Sequence, residues 1–183
     1  MMNEIEVDFR KEFANPRKKV KALDNFINHL LENDHVLEAN YYLNKLLEIK
    51  PKHEKSLRLG YKIAIRMFDR NRVIFFDKQL IEIKAKNELI IPLQLEYYFS
   101  MRCEAGMYRC LSWFVEQKSI NLEDFNLINL IIESSKILRK YEFIPKLLNQ
   151  MKKHKCSPSR ETEIAYKKIA LEQLVKTLRL VYV

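Results

Sequence analysis

Four basic side chains recur at intervals of three, four and four residues in the sequence: Lys55, Arg58, Lys62 and Arg66. On an α-helix this spacing places all four on one face, where they form what we call the basic stripe. Ammonium and guanidinium groups bind carboxylates and phosphates, so several of them together would attract an acidic partner. The same spacing also suits a solvated helix face, because isolated surface ion pairs contribute only about 0–1 kcal/mol each.

The sequence contains no pattern typical of a catalytic or metal site. It has no glycine-rich phosphate loop and no nucleophile motif, so we predict a chain that is not an enzyme and needs no cofactor. His154 and Cys156 lack the second pair of ligands that a zinc knuckle requires. The odd number of cysteines and the absence of CxxC spacing predict free thiols in a reducing compartment. Cys103 and Cys110 are expected to be small buried side chains.

The composition predicts one all-α domain. Of the 183 residues, 48% are hydrophobic and 31% are charged, which argues against intrinsic disorder. Only 2 glycines and 5 prolines occur, so long helices joined by short loops fit better than a turn-rich β fold. The net charge of +9 and the pI of about 9.4 favour an anionic partner. No secretory signal and no apolar run of about 20 residues occurs, which predicts a cytoplasmic protein without a membrane span.

An internal repeat organises the chain. The segment YYLNKLLEIKPKH at Tyr41–His53 returns 34 residues later as FFDKQLIEIKAKN at Phe75–Asn87, and a fainter copy begins at Phe114. Helical repeats of this period consist of two-helix units that bury their apolar faces by stacking. The fold class predicted is therefore an all-α α-solenoid, and the family resemblance described below implies that it is right-handed. We expect an N-terminal cap (residues 1–15), four hairpins (16–53, 54–87, 88–121 and 122–156) and a C-terminal capping helix (157–183).

Proline, glycine and capping residues predict where the helices begin and end. Asn15 and Pro16 should start the first long helix, and Asp69–Asn71 should form a turn. The third hairpin should begin at Ile91 or Pro92, since a proline would break a helix already running from Glu88. Gly106 should lie in the following turn. The second hairpin should bury one helix face, which comprises Leu57, Tyr61, Ala64 and Phe68.

The repeat resembles the tetratricopeptide repeat over roughly residues 20–120. The segment Val20–His53 carries the pattern of large, aromatic, small and proline residues as Leu23, Phe26, Leu30, Ala39, Leu43, Leu46 and Pro51. The next segment, Glu54–Asn87, keeps Leu57, Ala64 and Leu80, with Gly60 and Tyr61 shifted by one residue. The fourth hairpin instead resembles a pentatricopeptide repeat, through Asn129–Ile131, Lys136, Leu147–Lys153 and Pro158.

The tetratricopeptide resemblance implies an interaction module in which the first helix of each hairpin lines a concave groove. Basic residues at such positions grip carboxylates of peptide ligands in that family. The resemblance places the basic stripe in the groove, with Lys21, Asp24 and Asn28 of the preceding hairpin as neighbours. The expected partner-binding residues are Lys21, Asn28, Lys55, Arg58, Lys62 and Arg66. We therefore predict an adaptor or chaperone that binds an acidic peptide or protein segment.

Two other functions fit the sequence. The high pI and the pentatricopeptide-like hairpin favour an RNA-binding helical-repeat protein. The apolar stretch Leu178–Val183 would suit a structural subunit that docks into a larger assembly. Three aromatic pairs could stack bases or bind a peptide, but we expect one ring of each to face the core and the other to pack between hairpins. These pairs are Tyr41-Tyr42, Phe75-Phe76 and Tyr97-Tyr98.

Overall fold

The described residues form helices and no strands. The structure is a computed structural model, and it describes residues 4–15, 17–116, 125–140, 142–145, 164 and 167. The prediction of an all-α chain is confirmed for these ranges. Eight helices have both ends within these ranges: α1 (Glu4–Phe13), α2 (Lys19–Glu32), α3 (Val36–Ile49), α4 (Glu54–Arg66), α5 (Arg70–Glu82), α6 (Asn87–Ser100), α7 (Glu104–Glu116) and α8 (Phe125–Ile137).

The chain divides into two compact units, Met1–Leu93 and Gln94–Val183, and the division falls inside α6. In the N-terminal unit α2 packs on α3, α3 packs on α4, and α4 packs on α5, while α1 covers α2. The helices α2 and α4 also touch, so the first helices of two successive hairpins lie side by side. In the C-terminal unit α7 packs on α8.

The core of the N-terminal unit consists of the apolar faces of α2 to α5. Its largest fully buried side chains are Leu23, Ile27, Leu43, Leu46, Leu57, Tyr61, Ile63, Phe76 and Leu80. The helix α1 joins this core through Phe9, whose ring stacks on Phe26 at 4.2 Å and meets Tyr42 edge-on at 5.3 Å. Burial of such apolar surface is the main source of stability in a helical hairpin, because isolated helices of this length are marginal in water.

Five helices end in the same left-handed turn, and none of these turns contains glycine. Hydrogen bonds such as His35 N to Leu30 O and Asp34 N to Leu31 O form the Schellman pattern. Each turn contains one residue with a positive φ, between 52° and 61°. These residues are Asp34, Phe68, Lys84, Arg102 and Arg139. Positions 34, 68 and 102 are 34 residues apart, and α3, α5 and α7 begin at 36, 70 and 104. The turn geometry thus recurs with the period of the sequence repeat.

The third hairpin begins earlier than the predicted Ile91 or Pro92. The helix α6 starts at Asn87 and continues through Pro92. A proline in a helix removes one N–H donor and crowds the carbonyl four residues earlier. Here that loss falls within the first two turns, and Ile90 and Leu93 on either side of the proline are both buried. Burial of this apolar face therefore outweighs the local cost.

Two helix starts differ from prediction for a local reason. Asn15 caps a turn instead of a helix, because its Oδ1 accepts from the backbone N–H of Arg17 at 3.0 Å, and α2 begins only at Lys19. The predicted turn at Asp69–Asn71 is instead the start of α5. Asp69 is the N-cap of that helix, and its carboxylate accepts from Arg72 N at 3.1 Å.

Three residues lie elsewhere than predicted. Gly106 is inside α7, where it faces the ring of Tyr98 from α6. Phe68 and Cys103 are exposed, because each lies at a left-handed helix end that turns its side chain away from the core. Cys110 is buried as predicted. The pentatricopeptide-like segment Leu147–Lys153, the docking stretch Leu178–Val183, Cys156 and nearly all of the helix predicted over 157–183 lie outside the described residues.

Candidate functional site

A cavity of about 150 Å³ lies between α2 and α4, on the side that carries most of the basic stripe. The apolar face of α4 is buried in the core, with Leu57, Tyr61 and Ala64 each at most 1% exposed. Burial of that face fixes the rotation of the helix and directs the cationic residues towards α2. The cavity is lined by Asp24, Asn28, Lys55, Arg58, Leu59 and Lys62.

Two of the three cations of the cavity have a carboxylate neighbour at a distance beyond hydrogen-bonding range. Lys55 Nζ lies 3.7 Å from Asp24 Oδ2 on α2, and Arg58 Nη1 lies 3.8 Å from Glu54 Oε1 one turn earlier on α4. Lys62 is exposed and forms no ion pair with any described residue. These contacts neutralise part of the positive charge but leave the N–H donors of the cations open to a further acceptor.

The guanidinium of Arg58 has an unsatisfied donor. Its Nε is buried, and no described residue places an acceptor within hydrogen-bonding distance of that atom. A buried donor without a partner costs about 1–3 kcal/mol, and more for a charged group. Such an atom in a native protein therefore requires an explanation, and an acceptor supplied by a bound ligand is one.

Asn28 contributes to the wall of the cavity through its own helix. Its Nδ2 donates to the backbone carbonyl of Asp24 at 2.8 Å, which holds the amide against α2. Lys21 is exposed one turn before Asp24 and does not line the cavity. The structure thus brings together four of the six predicted binding residues, namely Asn28, Lys55, Arg58 and Lys62.

Arg66, the last residue of the basic stripe, contacts the end of α2 instead of the cavity. Its Nη1 donates to the carbonyl oxygen of Leu31 and lies 3.8 Å from Asp34 Oδ1. The Leu31 carbonyl already accepts from the backbone N–H of Asp34, so Arg66 uses the second lone pair of that oxygen, and the helix dipole favours a cation at this end of α2. Arg66 is therefore placed to join α4 to the end of α2.

Arg66→Ala is expected to lower the free energy of unfolding by about 1 kcal/mol, because it removes a charge-assisted hydrogen bond to a helix end. Urea denaturation followed by circular dichroism measures this loss. Lys62→Ala is the matched control, since Lys62 is on the same helix and is expected to leave stability nearly unchanged. Equal stabilities for the two variants would contradict the role assigned to Arg66.

The residue Glu54 was missed in the sequence, although its spacing from Arg58 was a usable signal. A glutamate four residues before an arginine on a helix is the favourable orientation for an ion pair. Leu59 was missed as well, because a leucine inside a helical apolar pattern is indistinguishable from a core residue without the tertiary contacts.

A second, larger cavity of about 650 Å³ lies at α2 and α3, and its walls include Phe26, Leu37, Tyr41 and Tyr42. Tyr41 is 56% exposed, so the outer ring of this aromatic pair faces solvent instead of packing between hairpins as predicted. Lys45 Nζ lies 4.3 Å from the centre of the Tyr41 ring. Hydrogen bonding to Tyr41 raises the pKa of the Lys45 ammonium group.

The described residues provide neither a metal-binding cluster nor a membrane-spanning helix. They contain no cluster of three or more His, Cys, Asp or Glu side chains that could hold a metal ion. None of their helices combines the length and the apolar character needed to cross a membrane. Comparison of the chain with protein-family models, curated proteins and solved structures finds no match.

Proposed function

We propose that the chain is a non-catalytic interaction module that binds an acidic segment of a peptide or partner protein at the cavity between α2 and α4. The observation that carries this proposal is the buried Nε of Arg58, which has no acceptor among the described residues. A carboxylate of the partner would supply that acceptor when the Arg58 side chain, which is 33% exposed, turns Nε towards the cavity. Arg58 is suited to this role because its planar donors match the geometry of a carboxylate.

The charges around the cavity support an anionic ligand. Three cations and one carboxylate line it, so the wall carries a net positive charge. The two long ion pairs leave donors of Lys55 and Arg58 available, and the ammonium group of Lys62 has no anionic neighbour among the described residues. Charge-assisted hydrogen bonds to a ligand are about twice as strong as neutral ones. The incoming carboxylate is therefore expected to displace water from these donors.

The size of the cavity restricts what it can hold. Its volume of about 150 Å³ corresponds to about five water molecules in the liquid. This is room for one carboxylate-bearing side chain, so the remainder of a peptide must lie along the surface formed by α2 and α4. A single such subsite supports an affinity in about the micromolar to millimolar range.

The arrangement of the helices supports an adaptor or chaperone role within a tetratricopeptide-like scaffold. The first helices α2 and α4 are neighbours, and the left-handed turns at 34, 68 and 102 recur with the repeat period. A right-handed solenoid, with first helices lining a common groove, would extend this arrangement along the chain. In such a groove the cavity would be one position along an extended binding surface.

Arg58→Ala combined with Lys62→Ala is expected to weaken binding of a glutamate-rich peptide about tenfold or more, since both changes remove donors from one small site. Fluorescence anisotropy of a rhodamine-labelled peptide measures the dissociation constant, and an all-glutamine peptide serves as the ligand control. The matched protein control is Lys50→Ala with Lys78→Ala, which removes the same charge from exposed positions outside the cavity.

Three outcomes would contradict the proposal. If both double variants lose affinity equally, the peptide is attracted by the net charge of the protein and does not bind in the cavity. If an RNA oligonucleotide binds more tightly than the peptide, with a steep dependence on salt and similar losses in both variants, the RNA-binding alternative is favoured instead. Absence of binding to either probe would favour the structural-subunit alternative.

A further inference from the structure

We infer that Asp24 is an internal competitor of the ligand: its carboxylate pairs with Lys55 of the cavity in the free protein and must be exchanged for the carboxylate of the partner. This inference rests on the function proposed above. Asp24 would then lower the affinity of the site for an anionic ligand, because the ligand must compete with its carboxylate.

The position of Asp24 supports this role. It belongs to α2 and lines the cavity together with Lys55 of α4, and the two charged groups are 3.7 Å apart. The Asp24 side chain is 19% exposed, whereas that of Lys55 is 66% exposed. Asp24 is therefore held in the wall, while the longer and more exposed lysine can move towards a ligand. The carboxylate stays in place and Lys55 changes partner.

The length of the ion pair makes the exchange feasible. At 3.7 Å the contact is electrostatic and lacks a direct hydrogen bond, which for a charged N–H and a carboxylate is about 2.7–2.9 Å long. A ligand carboxylate that reaches hydrogen-bonding distance would therefore gain an interaction that Asp24 does not make. Asp24 would then repel the ligand, because two carboxylates would share one small cavity.

Glu54 is a long-range ion-pair partner of Arg58, as Asp24 is of Lys55. Its Oε1 lies 3.8 Å from Arg58 Nη1, again beyond hydrogen-bonding distance, and Arg58 Nε is without an acceptor among the described residues. Two of the three cations of the cavity thus each have one internal carboxylate at long range. A ligand carboxylate that binds Arg58 competes with Glu54 in the same way, so removing the charge of Glu54 is also expected to favour the ligand.

The first test compares Asp24→Asn with Glu32→Gln. Both remove one negative charge from α2, but Glu32 is exposed, is not part of the cavity wall and lies about 12 Å further along the helix axis. Asp24→Asn is expected to tighten binding of the rhodamine-labelled glutamate-rich peptide about three- to fivefold, whereas Glu32→Gln should change it less than about twofold. Circular dichroism verifies that both variants are folded.

The second test observes the site directly. The Nε–Hε signal of Arg58 in a ¹⁵N–¹H NMR spectrum is expected to move when the peptide binds, in the wild type and in Asp24→Asn, and at lower peptide concentration in the variant. Glu54→Gln offers an independent change that is also expected to tighten binding. It keeps the inference testable if Asp24→Asn does not fold.

The outcomes separate this inference from the function on which it rests. If the wild-type chain binds the peptide through Arg58 and Lys62, but Asp24→Asn binds no more tightly than Glu32→Gln, internal competition is overturned and the binding function stands. If Asp24→Asn weakens binding, Asp24 is itself a contact to the ligand and the inference fails. If the wild type does not bind the peptide at all, the proposed function fails first.

Discussion

Gly60→Ala is expected to destabilise the protein by about 1–3 kcal/mol, although alanine is normally better than glycine inside a helix by about 1 kcal/mol. The reason is the close approach of α5 to α4 at this position. A Cβ added to Gly60 would lie 2.3 Å from Cζ of Phe76, much closer than van der Waals contact allows. Phe76 is 1% exposed, so its ring has no free volume into which it can move.

Urea denaturation of the variant measures this loss, and a second substitution tests its cause. Phe76→Leu shortens the facing side chain and should be destabilising alone, because it leaves space in the core. Combined with Gly60→Ala it should cost less than the sum of the two single changes, with a coupling of about 0.5–3 kcal/mol. Additive losses would contradict the proposed contact between a methyl group and the ring.

The same argument applies at Gly106 in the C-terminal unit, where it faces Tyr98 of the same unit. A Cβ there would lie 2.3 Å from Tyr98 Cγ, the ring atom nearest the backbone. The Tyr98 hydroxyl also accepts from Arg109 Nη2 at 2.6 Å, which restrains the ring further. The two glycines of the described chain thus occupy helix positions where an aromatic ring crosses, on α4 in one hairpin and on α7 in the next.

These contacts show what the sequence can and cannot predict. The α-helical class followed from the small number of glycines and prolines and from the 34-residue repeat, because these features are properties of the chain alone. Pro51 is a local signal of the same kind, and it follows directly on Lys50, the C-cap of α3. Gly106 was wrongly placed in a turn because glycine marks both turns and close helix contacts. A close helix contact requires a bulky residue opposite the glycine, and that residue is known only from the tertiary structure.

The candidate site was also predictable only in part, because local spacing in the sequence does not show which residues of another helix lie nearby. Helical spacing correctly placed Lys55, Arg58 and Lys62 on one face, and the structure brings them to one cavity with Asn28. From Lys55 to Arg66 the helix extends about 16 Å, which is longer than a cavity for one side chain. The stripe therefore passes beyond the site, and its last member meets the end of α2. Spacing gives a face of a helix but does not show where a neighbouring helix ends.

Glycine substitutions at three helix ends are expected to raise the free energy of unfolding by about 2 kcal/mol in total, because each residue now has a left-handed backbone that costs an L-residue about 1–2 kcal/mol. The positions are Phe68, Lys84 and Arg102, with φ of 54°, 55° and 52°. Glycine adopts this conformation without strain but loses about 0.5–1 kcal/mol through the greater entropy of the unfolded chain. The net gain at each position is therefore smaller than the strain removed.

The choice of these positions and of their control makes the test specific for backbone strain. Phe68 is 76% exposed, so loss of its ring sacrifices little packing, while Asp34 is left unchanged because it lies 3.8 Å from Arg66. Lys50→Gly is the control: Lys50 also ends a helix but has φ of −140°, so glycine there adds entropy without relieving strain. Thermal denaturation should show a higher melting temperature for the triple variant and a lower one for Lys50→Gly. A lower melting temperature in both would mean that these turns, spaced with the repeat, are held without strain by the packing of the hairpins.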